Sequence, residues 1–204
     1  MRDLAPCIVC LSTAPPEQLY VKWGYPIVRV PGCGLGAAMP QAGFEPASLY
    51  DEGFFQGAQR DGYADYRGSE KTFRAEFDQT VRQLLAYRPQ GGALLEVGCA
   101  YGFFLDAASR FACTGVEISL AARTHCRQRG RAVLPSLAEA ESRGPFDVAV
   151  MLDCIEHLTD PADMVADITP RARPGRSPLD HHRGLGLVAR ARHGPPLATD
   201  DAAE

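Results

Sequence analysis

The sequence predicts an α/β fold: a Rossmann-like, mostly parallel sheet with helices on both faces. Apolar runs and helical patterns alternate between residues 93 and about 168. The runs have the length of strands, and the single helices between them imply right-handed crossovers, which join parallel strands. The sheet is incomplete, with about four strands, at Ala93–Val97, Cys113–Glu117, Ala132–Leu134 and Phe146–Leu152.

Capping residues mark the ends of the intervening helices. Ser119 is a suitable N-cap for a helix over about 121–129, and Gly130 is a suitable C-terminal stop. Asp160-Pro161 predicts the start of a later helix, because aspartate caps a helix and proline is tolerated in its first turn.

Changes in composition divide the chain into four segments. The first is rich in Cys, Pro and Gly and predicts a small β-ribbon module. The second is aromatic and predicts a helical lid, with Phe73, Phe77 and Val81 on one face of a helix. The segments are residues 1–45 (β-ribbon module), 46–92 (lid and helix), 93–170 (Rossmann-like domain) and 171–204 (irregular or disordered tail).

The last segment has two interpretations. Its Pro, Arg, Gly and His content predicts disorder. If the codons are GC-rich and are read one base later, Arg171 to Val188 can be back-translated to ALGPGGRLSITTGDWGS, a turn followed by an alternating apolar strand. Such a strand should follow the helix that begins at Asp160-Pro161. We therefore expect a frameshifted tail that truncates the domain.

Charge and hydropathy exclude several classes of function. The net charge of −4 gives no basic face for nucleic acid. No apolar run approaches the roughly 20 residues that span a bilayer, and the first residues do not resemble a signal peptide. We expect a cytoplasmic protein with no nucleic-acid or membrane partner, whose cysteines do not form a disulfide framework.

The stretch LLEVGCAYGFF, from Leu94 to Phe104, joins the first strand to a helix. Its glycines allow backbone to approach a ligand at the carboxyl end of the strand. A dinucleotide loop would need G-x-G-x-x-G, but Ala100 and Phe103 replace two of those glycines. Glu96 would also repel a pyrophosphate by about 1–4 kcal/mol. The stretch therefore favours a cationic ligand.

S-adenosylmethionine is a cationic nucleoside that suits these residues. It carries an ammonium and a sulfonium group and no phosphate, and its ribose has two hydroxyls that need acceptors. Glu117, nineteen residues after Gly98, ends the second strand and can accept from both hydroxyls. That spacing also occurs in nicotinamide sites, so Glu117 alone does not distinguish the two cofactors. The pairing of Glu96 with Glu117 favours S-adenosylmethionine over a nicotinamide dinucleotide.

Three motifs together resemble the class I S-adenosylmethionine-dependent methyltransferases: LLEVGCAYGFFLDAA, GVEIS and PFDVAVMLDCIEHLTDP. The resemblance implies that the first motif lines the methionine end of the cofactor, Glu117 holds the ribose and Ile118 packs on the adenine. Ser136-Leu137 stands where the family often has an acidic residue, which implies an adenine contact through backbone. The implied cofactor-binding residues are Glu96, Gly98, Cys99, Ala100, Gly102, Glu117, Ile118, Leu137 and Asp153.

His157, in the sequence DCIEH, follows the fourth strand and should face the same crevice. An imidazole can take a proton from a hydroxyl or amine acceptor, so His157 is the candidate catalytic base. The alternative is that Glu156 and His157 only shape the pocket. Methyl transfer is an in-line displacement that positioning alone can accelerate, so both interpretations remain open.

Cys7, Cys10 and Cys33 resemble the zinc-ribbon module that precedes some of these methyltransferases. A structural zinc site has four ligands, and the position expected for the fourth cysteine is Val30. Two interpretations follow: a zinc site with three thiolates, or a β-ribbon that keeps its shape without metal.

The resemblance implies an enzyme that transfers a methyl group from S-adenosylmethionine to a small-molecule acceptor, with activity lost if the tail is out of frame. Two alternatives are a nicotinamide-dependent oxidoreductase and a non-catalytic module that binds a partner protein. In the lid, Tyr63, Tyr66 and Arg67 either contact the ligand or serve as a packed cover.

Overall fold

The computed structural model divides the chain into two compact units, residues 1–45 and 46–204. No helix in the described part of the chain is both long enough and apolar enough to cross a membrane. The residues whose structure is described are 6–7, 9–40, 43–58, 62–168 and 186–190.

The N-terminal unit contains a three-stranded antiparallel sheet. Its strands are β1 (Glu17–Lys22), β2 (Tyr25–Arg29) and β3 (Gly36–Ala38), in the order β1-β2-β3. Trp23 and Gly24 connect the first two strands with φ angles of 52° and 86°, which matches the twist of a tight hairpin. The predicted β-ribbon is therefore confirmed.

The C-terminal unit begins with short helical segments and one long helix. A 3₁₀ helix spans Pro46–Leu49, α1 spans Glu52–Phe55 and α2 spans Glu70–Tyr87. The buried residues of α2 recur at steps of three and four, as predicted, because that spacing keeps one stripe of the helix against the core. They include Phe73, Phe77, Val81 and Leu84.

Helices alternate with parallel strands after α2, which confirms the predicted fold class. The sheet order is β6-β5-β4-β7-β8, and every pair is parallel. The elements are β4 (Ala93–Val97), α3 (Phe103–Ala107), β5 (Ala112–Val116), α4 (Leu120–Gln128), β6 (Val133–Leu134), α5 (Leu137–Ala140), a 3₁₀ helix (Glu141–Arg143), β7 (Val148–Leu152), a 3₁₀ helix (Ile155–His157), α6 (Pro161–Ile168) and β8 (Gly186–Arg190).

Strand β8 lies in the tail, for which the sequence predicted no regular structure. It pairs in parallel with β7 along five residues, from Val148 opposite Gly186 to Leu152 opposite Arg190. Strand β7 is buried along its whole length, so the backbone groups on its outer edge need partners. The β8 backbone supplies them. The rest of the tail, and with it the frameshift hypothesis, lies outside the described residues.

Both faces of the sheet are covered by apolar clusters. Leu94, on β4, packs with aromatic residues of α2 and α3, whereas Leu95 and Val97 pack in the cluster on the opposite face. This alternation follows the period of two in a strand. Arg88 and Asp147 join α2 to the sheet through an ion pair of 2.8 Å, and the other oxygen of Asp147 accepts from the Ala93 N–H at 2.9 Å.

Glu96 is an acidic residue within this core. Glu96 is only 3% exposed, and among the described residues its Oε2 has no hydrogen-bond partner. Burial raises the pKa of the Glu96 carboxyl well above its ordinary value, and the nearby Cys126 and Glu117 add to the increase. The folded protein therefore favours the neutral acid.

We expect Glu96→Gln to reduce the loss of stability at high pH. A raised folded pKa gives stability that is full below the ordinary carboxyl pKa of about 4.3 and is lost as the pH rises through the folded value. The variant should exceed the original chain in unfolding free energy at pH 8, with a smaller difference at pH 5. Urea denaturation at both pH values measures this. The exposed Glu141→Gln substitution is the charge-matched control, and equal pH dependence of the Glu96 variant and the original chain would contradict the expectation.

Candidate functional site

The turn between β4 and α3 places backbone at the carboxyl edge of the sheet. Gly98 and Gly102 both have φ of 77°, a left-handed conformation that glycine adopts at little cost. A Cβ on Gly98 would lie 2.7 Å from the Cys154 sulfur, so a side chain is excluded there. These glycines are required by the shape of the turn.

Hydrogen bonds fix the turn to the tip of β5. The Gly98 and Cys99 N–H groups donate to the Val116 carbonyl at 2.8 and 3.2 Å. The Ala100 N–H donates to Oε2 of Glu117 at 2.8 Å. The first and second motifs of the sequence therefore meet through Glu117.

Glu117 also organises the start of α4. Its Oε1 accepts from the Ser119 N–H at 2.8 Å, and Ser119 caps the helix as predicted. Burial raises the pKa of Glu117, while the N–H groups of Ser119 and Ala100 lower it and so partly oppose the shift. The carboxylate is thus held between two elements and is 6% exposed.

Arg123 is a site residue that the sequence analysis missed. Its Nη1 donates to the carbonyls of Glu117 and Ile118 at 2.8 and 2.6 Å. A basic residue one turn after the N-cap was the signal that could have found it. The contact holds the β5–α4 connection in place.

Two large apolar residues beside Glu117 are open to solvent. Ile118 is 48% exposed and Leu120 is 67% exposed, although both adjoin a buried strand tip. We call Ile118 and Leu120 the apolar shelf. Exposed apolar surface next to buried polar groups is typical of a ligand-binding region.

The side chains predicted to bind the cofactor in the first motif are mostly buried. Glu96 and Cys99 lie in the interior, each 3% exposed, and the Cys99 sulfur packs in a cluster with Leu105 and Cys126. Ala100 is 9% exposed. The structure therefore presents the turn through its backbone, not through these side chains.

The segment after β7 contains Asp153 and His157. Asp153 has φ of 50°, which bends the chain out of the strand, and His157 is exposed at the end of a 3₁₀ helix. The ring of Tyr50 lies edge-on to the His157 ring, with 6.1 Å between centroids. Burial raises the pKa of Tyr50 to about 12, and the nearby charges of Cys154 and Glu117 contribute.

Tyr50 thus belongs to the region around the tips of β5 and β7, and sequence reasoning missed it. The aromatic run that contains it, LYDEGFF, was the available signal. Leu137, also predicted to bind the cofactor, is the first residue of α5. It packs against the apolar cluster that contains Leu95 and Val97.

The lid residues show two kinds of contact. Tyr66 is 9% exposed and stacks on Phe103 at 5.4 Å, so it packs as a cover. Arg67 is exposed and lies 5.9 Å from the centroid of the Tyr101 ring. Arg67 also lines a cleft of 690 Å³ together with Phe103, His125 and Arg129.

In the N-terminal unit, the three cysteine sulfurs predicted as metal ligands come together. The Sγ atoms of Cys7, Cys10 and Cys33 all lie within 4.8 Å of one another. Backbone N–H groups of Cys10 and Val9 lower the pKa of the Cys7 thiol to about 7. The three thiols therefore form one cluster at the surface of this unit.

Comparison with known proteins gives matches to methyltransferases. Residues 69–177, more than half of the chain, match a family described as a methyltransferase domain. The chain is 31% identical over 123 residues to the ubiquinone biosynthesis O-methyltransferase of Methylococcus capsulatus, which covers 54% of this chain and 52% of that protein. It is 33% identical over 97 residues to the enzyme of the same name from Caulobacter vibrioides, covering 42% and 38%.

A solved structure agrees with these sequence matches. The sugar N-methyltransferase KedS8 from Streptoalloteichus sp. ATCC 53650 is 26% identical, with a TM-score of 0.51 over 64% of this chain and 53% of that one. The chain spans about half the length of these relatives or less. The resemblance drawn from the three motifs is confirmed, and the chain belongs to the methyltransferase domain family.

Proposed function

We propose that the C-terminal unit binds S-adenosylmethionine at the carboxyl edge of its sheet and that the protein transfers the methyl group to a small-molecule acceptor. The observation that supports this most directly is the Glu117 carboxylate. It is fixed between the glycine turn and the start of α4, and the apolar shelf lies beside it. A nucleoside needs this combination: an acceptor for the ribose and an apolar surface for the base.

The donor and acceptor chemistry of Glu117 fits a ribose. A carboxylate offers about four lone-pair positions. The Ala100 and Ser119 N–H groups each donate to one oxygen, and the Ile118 N–H adds a further backbone interaction. The remaining acceptor capacity is proposed to serve the ribose hydroxyls. Because the backbone already fixes both oxygens, little ordering is needed when the ligand binds.

Ile118 and Leu120 are the proposed contact for the adenine. Their exposure leaves apolar area that a planar base can cover, at about 25 cal/mol for each Å² removed from water. Leu137 and Asp153 are the remaining proposed contacts, from the elements that flank the shelf and the turn.

Glu96 is proposed to respond to the positive charge of the ligand from beneath the turn. Its burial raises the pKa of the carboxyl and so disfavours the ionised form. A cation above Gly98, Cys99, Ala100 and Gly102 would favour its ionised form. Glu96 would then act through the field it creates, with the turn backbone making the contacts.

The cofactor, when bound, would supply a methyl group on a sulfonium: an acceptor lone pair bonds to the methyl carbon in line as the S–CH3 bond breaks, and S-adenosylhomocysteine leaves as a neutral thioether. This chain contributes the groups that align the acceptor and exclude water. His157 is the proposed proton acceptor, because it is exposed beside Tyr50 at the tip of β7. The proton that leaves the acceptor would pass to an imidazole nitrogen.

The acceptor is proposed to be a hydroxyl or an amine on a small molecule. Relatives named as an O-methyltransferase and as a sugar N-methyltransferase support both classes. Cytoplasmic location and the absence of a nucleic-acid partner remain predictions from the sequence.

We expect Glu117→Gln to weaken binding of S-adenosylhomocysteine by about 10- to 100-fold, because hydrogen bonds to a charged group contribute about 1.5–3 kcal/mol. Isothermal titration measures the dissociation constant. Glu141→Gln, which changes an exposed carboxylate in the 3₁₀ helix after α5, is the matched control. Absence of heat from the unsubstituted chain at millimolar ligand, or heat with NAD instead, would refute the cofactor assignment.

Ile118→Ser provides a second test that does not disturb the Glu117 contacts. The side chain is half exposed, so the fold should keep its thermal midpoint. Affinity for S-adenosylhomocysteine should fall by about 5- to 30-fold through lost contact with the base. Unchanged affinity would show that the base lies elsewhere.

His157→Gln should lower kcat by about 100-fold or more and leave the S-adenosylhomocysteine dissociation constant unchanged, if the imidazole is the base. The measurement is transfer of labelled methyl to a panel of small molecules that carry hydroxyl or amine groups. A raised KM with kcat unchanged would assign His157 a role in shaping the pocket only.

The frameshift hypothesis predicts a specific nucleotide sequence. Across codons 165 to 180, the frame displaced by one base should encode a Pro-Gly-Gly turn followed by an apolar strand. A chain corrected to that frame should then unfold at a higher temperature than the present one. Sequencing that region decides the point, and a displaced frame without the turn would remove the hypothesis.

A further inference from the structure

The cysteine cluster of the N-terminal unit is built on two turns of the same form. In the first turn, the Leu11 N–H donates to the Cys7 carbonyl at 2.8 Å, and Leu11 has φ of 56°. The Cys7 N–H then donates to the Ser12 carbonyl at 2.9 Å. The chain thus reverses over five residues, with Cys10 immediately before the left-handed position.

The second turn repeats each of these features. The Gly34 N–H donates to the Val30 carbonyl at 2.8 Å, and Gly34 has φ of 74°. The Val30 N–H donates to the Leu35 carbonyl at 2.9 Å. Cys33 therefore occupies the position of Cys10, and Val30 occupies the position of Cys7.

The distances between the sulfurs suit one bound cation. The sulfurs of Cys7 and Cys33 lie 3.7 Å apart, and all three Sγ atoms lie within 4.8 Å of one another. Tetrahedral zinc with Zn–S bonds of about 2.3 Å holds its sulfurs about 3.8 Å apart. The Val9 N–H also donates to the Cys7 sulfur at 3.4 Å.

The equivalence of the turns shows where a fourth protein ligand is missing. Val30 occupies in the second turn the position that Cys7 occupies in the first, and its isopropyl group cannot bind a metal. In the part of the chain that the structure describes, the group of potential ligands contains only the three cysteines. Cys10 and Cys33 are exposed, so a molecule from solvent can reach the cluster.

We propose that Cys7, Cys10 and Cys33 bind a divalent cation of the zinc type, with the fourth coordination position open to an external ligand. Closed four-ligand sites stabilise a fold, whereas sites with three protein ligands keep a position for water or another small ligand. The proposal is independent of methyl transfer. It assigns the N-terminal unit an exchangeable ligand, such as water, a thiol or an imidazole.

Cobalt(II) is the probe, because it replaces zinc and its visible spectrum reports the ligand set. The reduced full-length chain is titrated with Co²⁺ without oxygen. One equivalent should produce a sulfur-to-cobalt charge-transfer band, and Cys10→Ser should reduce its intensity by about one third. Adding imidazole should shift the visible bands, since it enters the open position.

Val30→Cys is the decisive variant. It supplies the missing thiolate, so imidazole should no longer shift the cobalt bands and zinc affinity should rise on the order of 100-fold. Val30→Ala removes the same side chain without adding a ligand and should behave as the original chain does. Circular dichroism of the antiparallel sheet shows whether each variant folds.

Two results would overturn the proposal. Absence of a charge-transfer band at one equivalent of Co²⁺ in the original chain would mean that the cysteines hold no metal. A cobalt spectrum that imidazole leaves unchanged would mean that the site is already closed. Neither result depends on S-adenosylhomocysteine binding, which tests the C-terminal unit separately.

Discussion

The geometry of the C-terminal unit depends on the Glu117 carboxylate and the hydrogen bonds that it accepts from the backbone N–H groups of Ala100 and Ser119. Glu117 receives the Ala100 N–H through one oxygen and the Ser119 N–H through the other. It therefore joins the glycine turn after β4 to the N-cap of α4, across neighbouring parallel strands. Substitution by a side chain with one acceptor oxygen would leave a buried N–H without a partner, which costs about 1–3 kcal/mol.

Glu96 and Glu117 are buried near each other, and burial disfavours the ionised form of both by raising the pKa of each carboxyl. The positive charge of the proposed ligand would favour the ionised carboxylates, whereas a diphosphate would oppose their ionisation.

The two units differ in what holds them together. The C-terminal unit buries apolar side chains on both faces of a parallel sheet, which is sufficient for an independent core. The N-terminal unit has strand β1 exposed along most of its length and few buried residues. A sheet of three strands with so little core gains stability from a cross-link, and the cysteine cluster is placed to hold one.

The sequence by itself determined the alternation of strands and helices between residues 93 and 168, the glycine turn, the Ser119 cap and the family, because these follow from local periodicity, capping chemistry and motif spacing. Only the tertiary structure decided that Glu96 is buried, that Tyr50 lies beside His157, and that β8 covers the edge of β7. Those features depend on contacts between residues distant in sequence. The packing of elements against one another determines which way these side chains point and which strands pair, and no local sequence pattern encodes that packing.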